Sequence, residues 1–239
     1  TTVPLLSDAV TFNVEFDEVT INRPGAEIAI VSDFGDPIVM STLNLTAGTL
    51  ALPAYDDLGF PIPQTLEVTS SYSRGAADGF LKVEGTSLTL SGDVAGDFVF
   101  DDNIAPVTLG LVEIVTTGAV AFKTTGINTD AVVAEDVSII SGTLNMYNDF
   151  EPQQLTVYGG ANFLTLDNAE LAVTSTLANL GTVTLGGPAT IQTLTLGQDT
   201  YNGTFDFTGQ ALTLTNVLVN TAGSSFITDD ASDLTLNEV

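Results

Sequence analysis

One short phrase, a turn glycine followed by alternating Thr and apolar residues, recurs along most of this chain and leaves few folds open to it. It reads Gly48-Thr49-Leu50-Ala51-Leu52, Gly85-Thr86-Ser87-Leu88-Thr89-Leu90, Gly142-Thr143-Leu144-Asn145-Met146, Gly181-Thr182-Val183-Thr184-Leu185 and Gly203-Thr204-Phe205-Asp206-Phe207. Alternation places successive side chains on opposite faces of a strand, so each phrase is a short, half-buried strand launched from a corner. Further strands of the same kind lie between them, among them Leu155-Thr156-Val157, Leu194-Thr195-Leu196, Leu212-Thr213-Leu214 and Leu234-Thr235-Leu236. Helical periodicity is almost absent, and Thr, which favours strands, supplies 35 of the 239 residues. The fold class is therefore all-β. Short strands at irregular spacing, with Gly or Asn corners and no long loops, fit a β-solenoid, expected to be right-handed and β-helix-like; a jelly-roll-like sandwich is the alternative.

The chain divides on this reading into residues 1–80, a β-rich capping and assembly region, and 81–239, the repetitive solenoid. At the start Val10, Phe12, Val14 and Phe16 share one face of a strand. Arg23-Pro24-Gly25 reads as a turn, with Ala26 to Val31 as the returning arm of a hairpin. Beyond the hairpin, prolines 37, 53, 61 and 63 interrupt continuous strand pairing. Within the solenoid, Leu166, Leu185, Leu196 and Leu214 are expected in a buried column, with the intervening Thr residues forming exposed hydroxyl ladders.

The phrases Gly142-Thr143-Leu144-Asn145, Leu194-Thr195-Leu196-Gly197 and Leu212-Thr213-Leu214-Thr215-Asn216 resemble the coils of secreted bacterial β-solenoid adhesins, autotransporter passengers and surface-layer proteins. The resemblance covers roughly residues 80–239. It implies a structural protein or adhesin at the cell surface, with no catalytic residues. The nonapeptide calcium pattern of some such proteins is missing, Gly159-Gly160 and Gly186-Gly187 being faint echoes.

Composition points the same way. There is no His, Cys or Trp, and Arg23, Arg74, Lys82 and Lys123 are the only bases. General acid–base catalysis, covalent attack and oxyanion stabilisation therefore have only carboxylates and hydroxyls to draw on. A carboxylate-only polysaccharide-degrading enzyme is the weakest of the readings, and a carbohydrate-binding module using Tyr55, Tyr72, Tyr147, Tyr158 and Tyr201 is an alternative. The net charge of −26 comes from 30 acids against 4 bases, so it reflects missing cations more than added acids. Nucleic acid and anionic membrane surfaces are excluded as partners by that deficit, and no apolar run reaches the length of a membrane helix. The chain opens on Thr1 with no signal-like segment, which reads as a processed polypeptide exported to the cell surface or beyond.

Calcium is the one cofactor expected, at Asp97, Asp101 and Asp102 and at Asp229, Asp230 and Asp233, because hard cations take six to eight oxygens from such loops. The same residues also serve as turn formers, and that reading stays open. Asn44-Leu45-Thr46 and Asn202-Gly203-Thr204 match the N-glycosylation pattern at Asn44 and Asn202. For assembly, the apolar arm with Val3, Leu5 and Leu6 and the final strand with Leu234 and Leu236 are expected to meet between copies of the chain. Strand donation of this kind is heterologous and propagates as a filament, pilus-like fibre or surface layer.

Overall fold

The computed structural model describes residues 14–32, 36–53, 62, 64–101, 107–125, 131–219 and 221–237. Every regular element among them is a strand, and no helix is long and apolar enough to cross a membrane. In chain order these are β1 (Val14–Ala29), β2 (Ile38–Leu52), β3 (Thr65–Gly92), β4 (Gly96–Phe100), β5 (Thr108–Thr124), β6 (Val132–Met146), β7 (Phe150–Val157) and β8 (Asn162–Thr165). They continue as β9 (Leu171–Asn179), β10 (Thr182–Thr184), β11 (Ala189–Leu196), β12 (Thr204–Asp206), β13 (Ala211–Val219), β14 (Ser225–Ile227) and β15 (Asp233–Leu236).

All pairings between these strands are parallel, each coil lying on the one before it. The chain is a β-solenoid. One inward column can be followed through the whole stack. It opens at the register position of Val14 and continues through Ile38, Leu66, Leu88, Val112, Val137, Leu155, Leu177, Leu194 and Val217. The step from Leu66 to Leu88 is fixed by a backbone hydrogen bond, Ser87 N donating to Gln64 O. Ten members make nine turns. A second inward column, two residues further along each coil, runs from Phe16 through Met40, Val68, Leu90, Ile114, Ile139, Val157, Asn179 and Leu196 to Val219.

The alternation in sequence is what these columns require. Every second residue points in, and stacking at the interstrand spacing of about 4.8 Å buries it against the same position of the next coil. The interior is almost wholly apolar, each buried Leu, Ile or Phe contributing about 1.5–3 kcal/mol. Phe98 and Phe100 of β4 pack edge to face on Phe122 of β5, and Phe163 of β8 and Phe205 of β12 share a column with Val183. Among the described residues the buried polar side-chain atoms are partnered, Thr221 Oγ1 excepted. Gln64 accepts from Ser32 N (2.8 Å) and donates to Ser32 O and Ile62 O, and Thr165 Oγ1 accepts from Gly186 N (2.8 Å). Asn179, the one polar member of the second column, donates to Thr204 O (2.7 Å) and accepts from Gly181 N (3.1 Å), tying down the adjoining corner.

Three expectations are corrected. The N-terminal hairpin does not form: β1 runs through Arg23-Pro24-Gly25, and the segments on either side both pair parallel with β2, so the turn is a coil corner. Its chemistry still matters, because Gly48 of the next coil, at φ +103°, comes so close to Arg23 O and Ala26 O that a Cβ would sit 2.7 and 2.9 Å from them. The strands are not uniformly short; β3 continues for 28 residues, paired with β2 on both sides of its corner. Finally, Leu185, Leu196 and Leu214 are buried but Leu166 is only half-buried, and Leu196 and Leu214 belong to different columns. Parallel stacking crosses position 80 inside β3 without a break.

Candidate functional site

A solenoid's interior is closed along its length by the next coil, so its chemistry of association is concentrated where the coils stop. Among the described strands the ladder ends on β1 at one side and on β14 and β15 at the other. Among the described residues no strand lies over the far side of the last coil. Leu194, Leu196, Phe205, Leu212 and Leu214 are at most 1% exposed, whereas the residues one coil further along the same columns, Val217, Val219, Phe226, Leu234 and Leu236, are 38–55% exposed. They point inward, and no further described coil lies over them. Leu218 and Ile227, which face outward on the same coil, are also exposed, so most of the large exposed apolar side chains gather on this coil. At the near end Phe16, Val19 and Ile28 pack on the core yet stay only partly buried.

Leu234 and Leu236 therefore lie on the last described coil, on a strand whose single described neighbour is β13. Val3, Leu5 and Leu6 lie outside the described residues, as does Asp102.

Of the acidic residues expected as metal ligands, Asp97 and Asp229 have other partners. Asp97 accepts a 2.7 Å hydrogen bond from Lys123 Nζ, which also lies 4.1 Å above the Tyr147 ring. Asp101 sits at the end of β4 with its N–H donating to Leu81 O. Asp229 closes a corner: its Oδ1 accepts from Ser232 Oγ (2.8 Å), Gly209 N (2.9 Å) and Ala231 N (3.1 Å). These donors, Ser232 first, hold its carboxyl below the ordinary value. Asp233 opens β15 and Asp230 precedes it on the same exposed corner. Among the described residues no three acidic side chains converge on a point that would hold a metal ion.

Asn44 is not a free acceptor for sugar. Its amide donates to Glu18 Oε1 (2.8 Å) and accepts from Ser73 Oγ (2.6 Å), forming a rung across the first three coils. Asn202 is exposed on the corner between β11 and β12.

Hydroxyl ladders do form, in the column Thr143, Asn162, Thr182, Thr204 and Ser225, although its members are half-buried except at the last coil. The bases are largely held within the fold. Lys82 pairs with Glu27 at 3.3 Å, and Arg74 donates to Gly79 O (2.6 Å) beside the Phe80 ring. Tyr72 stacks on Phe98 and donates to Asp97 O (3.0 Å); burial pushes its phenol far above the ordinary value, so it stays protonated.

Two shallow grooves mark the flanks. One of about 410 Å³ has Glu135, Glu151, Gln153 and Thr174 in its lining, and one of about 340 Å³ lies against Tyr72, Arg74 and Asp97. Tyr158 and Tyr201 are exposed on the side of the stack, Tyr201 resting on Gly159 where any side chain would collide with its ring.

Sequence reasoning identified Leu234 and Leu236 from their position but missed Val217, Val219 and Phe226. The signal was present in Ala211–Val219, where strict alternation gives way to the apolar run Val217-Leu218-Val219.

No family model, no curated protein and no solved structure matches this chain.

Proposed function

We propose that this chain is a non-enzymatic structural subunit that assembles head to tail with copies of itself into a filament, pilus-like fibre or layer outside the cell. The observation that supports it is the exposure of the inward residues Val217, Val219, Phe226, Leu234 and Leu236 on the last described coil. Burying the five half-exposed inward residues there would contribute on the scale of an ordinary protein core, and the only surface of matching pitch is another parallel coil. The contact joins unlike ends, so it propagates.

The net charge of −26 opposes assembly, since every subunit repels the next. Calcium, as a counter-ion along the acidic corners, is proposed to relieve that repulsion. Negative-stain microscopy of the purified chain with calcium and then with chelator tests both parts. Filaments or sheets are expected with calcium. Dispersed particles in both conditions would refute assembly, and polymers indifferent to chelation would remove the ion from the account.

The exposed pair Tyr158 and Tyr201 supports a second reading, a carbohydrate-binding module, since flat amphipathic rings stack on sugar faces. Retardation of the chain in gels containing soluble polysaccharide, abolished by Tyr201→Ala, would favour it.

A further inference from the structure

The groove beside Tyr72, Arg74 and Asp97 lies where the parallel ladder around β3 is interrupted. Leu45 of β2 pairs with Arg74 and Ala47 with Asp78, so the single residue Thr46 stands against three residues of β3. The backbone bulges there, and Gly75 is pressed against the Thr46 carbonyl so closely that no side chain would fit. On the other side β4 meets β3 only where Leu81 pairs with Phe100, so Gly96 and Asp97 have no β3 partner. What remains between β3 and the start of β4 is a cleft of about 340 Å³, at the small end of the range for a ligand site.

Its walls are fixed by contacts within the fold. Tyr72 stacks on Phe98 with ring centroids 3.9 Å apart and donates to Asp97 O. Arg74 Nε donates to Gly79 O at 2.6 Å, with the guanidinium 5.5 Å from the centre of the Phe80 ring. That bond uses one of the five guanidinium donors, and the other four, on the two Nη atoms, have no partner among the described residues. In a chain with 30 acids and 4 bases this is anomalous. Lys82 is paired with Glu27 and Lys123 with Asp97, whereas no described carboxylate comes within 4.0 Å of Arg74, although Asp97 lines the same cleft.

We propose that this cleft binds a single hexuronate residue, its carboxylate received by the two Nη groups of Arg74 and one of its hydroxyls donating to Asp97 Oδ1. The proposal does not depend on whether copies of the chain assemble.

The carboxylate follows from the guanidinium. With Nε occupied, its free edge presents two parallel N–H donors, the geometry that a carboxylate accepts in bidentate fashion. The hydroxyl follows from Asp97. Its Oδ2 is taken by Lys123 at 2.7 Å, which answers its charge and leaves Oδ1 to accept from a neutral donor; an ammonium group, as in an amino acid, would add a second cation to a carboxylate already paired. Ser73 Oγ, which donates to Asn44 Oδ1 at 2.6 Å, can accept from a further hydroxyl. Charge also limits the ligand's size. A net charge of −26 repels a densely charged polyuronate, so the fitting ligand carries one carboxylate, either alone or among neutral sugars.

An amide NMR titration of the full chain with sodium glucuronate tests the assignment, with glucose as the control for hydroxyls and acetate as the control for the carboxylate. Saturable binding with a dissociation constant of about 1 mM is expected from so small a ligand, with the amides of Gly75 and Gly96 shifting. Glucose and acetate should each bind at least about tenfold more weakly, as should glucuronate to Arg74→Gln, since a charge-assisted bidentate contact is lost in each comparison but the acetate one, where the hydroxyl contacts are lost. Circular dichroism checks that Arg74→Gln folds, and the shifts in the parent chain locate the ligand independently of that variant. Tyr201→Ala should bind glucuronate as the parent does, which separates this cleft from the exposed tyrosine pair.

Glucuronate affinity unchanged in a folded Arg74→Gln, or shifts confined to the surroundings of Tyr158 and Tyr201, would overturn the site. Acetate binding as tightly as glucuronate would overturn the sugar assignment. A parent chain whose spectrum does not respond to glucuronate well above millimolar concentration would overturn the proposal altogether, with no bearing on assembly.

Discussion

Phe205 and Phe226 occupy successive positions of one inward column, and substituting each by Ala measures how open the last coil is. Phe205 is fully buried and its ring centroid lies 6.0 Å from that of Phe226 and 6.5 Å from that of Phe207. Truncating it loses the transfer energy of the ring and leaves a cavity, which for Phe→Ala costs about 3–5 kcal/mol. Phe226 is 38% exposed, so only some three-fifths of its transfer energy is at stake, and solvent enters the space it leaves. Scaling the roughly 1.5–3 kcal/mol of full burial by that fraction gives about 1–2 kcal/mol with no cavity penalty.

The expected gap between the two variants is therefore about 2–3 kcal/mol in a monomeric chain. Urea unfolding at concentrations where sedimentation shows one species would register it as a midpoint difference on the order of 1 M. Hydrogen exchange over Ala211–Val219 separates local fraying of the last coil from global loss. Under assembly conditions the Phe226→Ala cost should rise toward that of Phe205→Ala. Equal costs in the monomer would refute the reasoning, because they would mean that something in the same chain already covers Phe226.

Other consequences can be checked singly. Gly48→Ala should destabilise far more than Gly25→Ala: both have positive φ, but a Cβ meets carbonyl oxygens at Gly48 and open space at Gly25, so thermal melts should separate by more than the ~1 kcal/mol of the left-handed conformation itself. The Asp229 carboxyl, followed by NMR, should titrate below its ordinary 3.8 and move back toward it in Ser232→Ala. Since its folded value is depressed, the stabilisation it provides is present above the ordinary carboxylate range and is lost as the pH falls through the folded value. Lys123→Met should cost no more than about 1 kcal/mol in chemical denaturation, because its pair with Asp97 is substantially exposed.

The solenoid was legible because its physics is local: each Gly-Thr-x-Leu phrase is a corner followed by an inward–outward strand, and Leu144, Val183 and Phe205, taken from three such phrases, share one column. The repeat length was not legible, for a reason visible in that first column. Successive members are separated by as few as 17 residues, Leu177 to Leu194, and as many as 28, Ile38 to Leu66. Corners absorb the difference while the strands hold their register, so inward positions recur in space without recurring at a fixed interval in sequence. The same tolerance disguised β1 and β2 as a hairpin region, since Arg23-Pro24-Gly25 has the chemistry of a reversal and acts as a corner. The acidic residues are a separate case. Asp229 has the composition of a calcium ligand, but its donors are the backbone and hydroxyl of its own and the preceding corner. Of the last described coil, the sequence announced Leu234 and Leu236 but not Val217 or Phe226, whose exposure depends on no further described coil lying above them.

Those uneven intervals have a consequence for how such a chain can change. Each coil pairs through its backbone only with its two neighbours, and the columns are matched by position and not by count of residues between them. Lengthening a corner, or excising one whole turn between equivalent members of a column such as Leu155 and Leu177, would leave every remaining rung with an apolar partner of the same kind. The molecule is thus a ruler whose length can be reset in steps of one strand spacing, about 4.8 Å, without redesign of either tip.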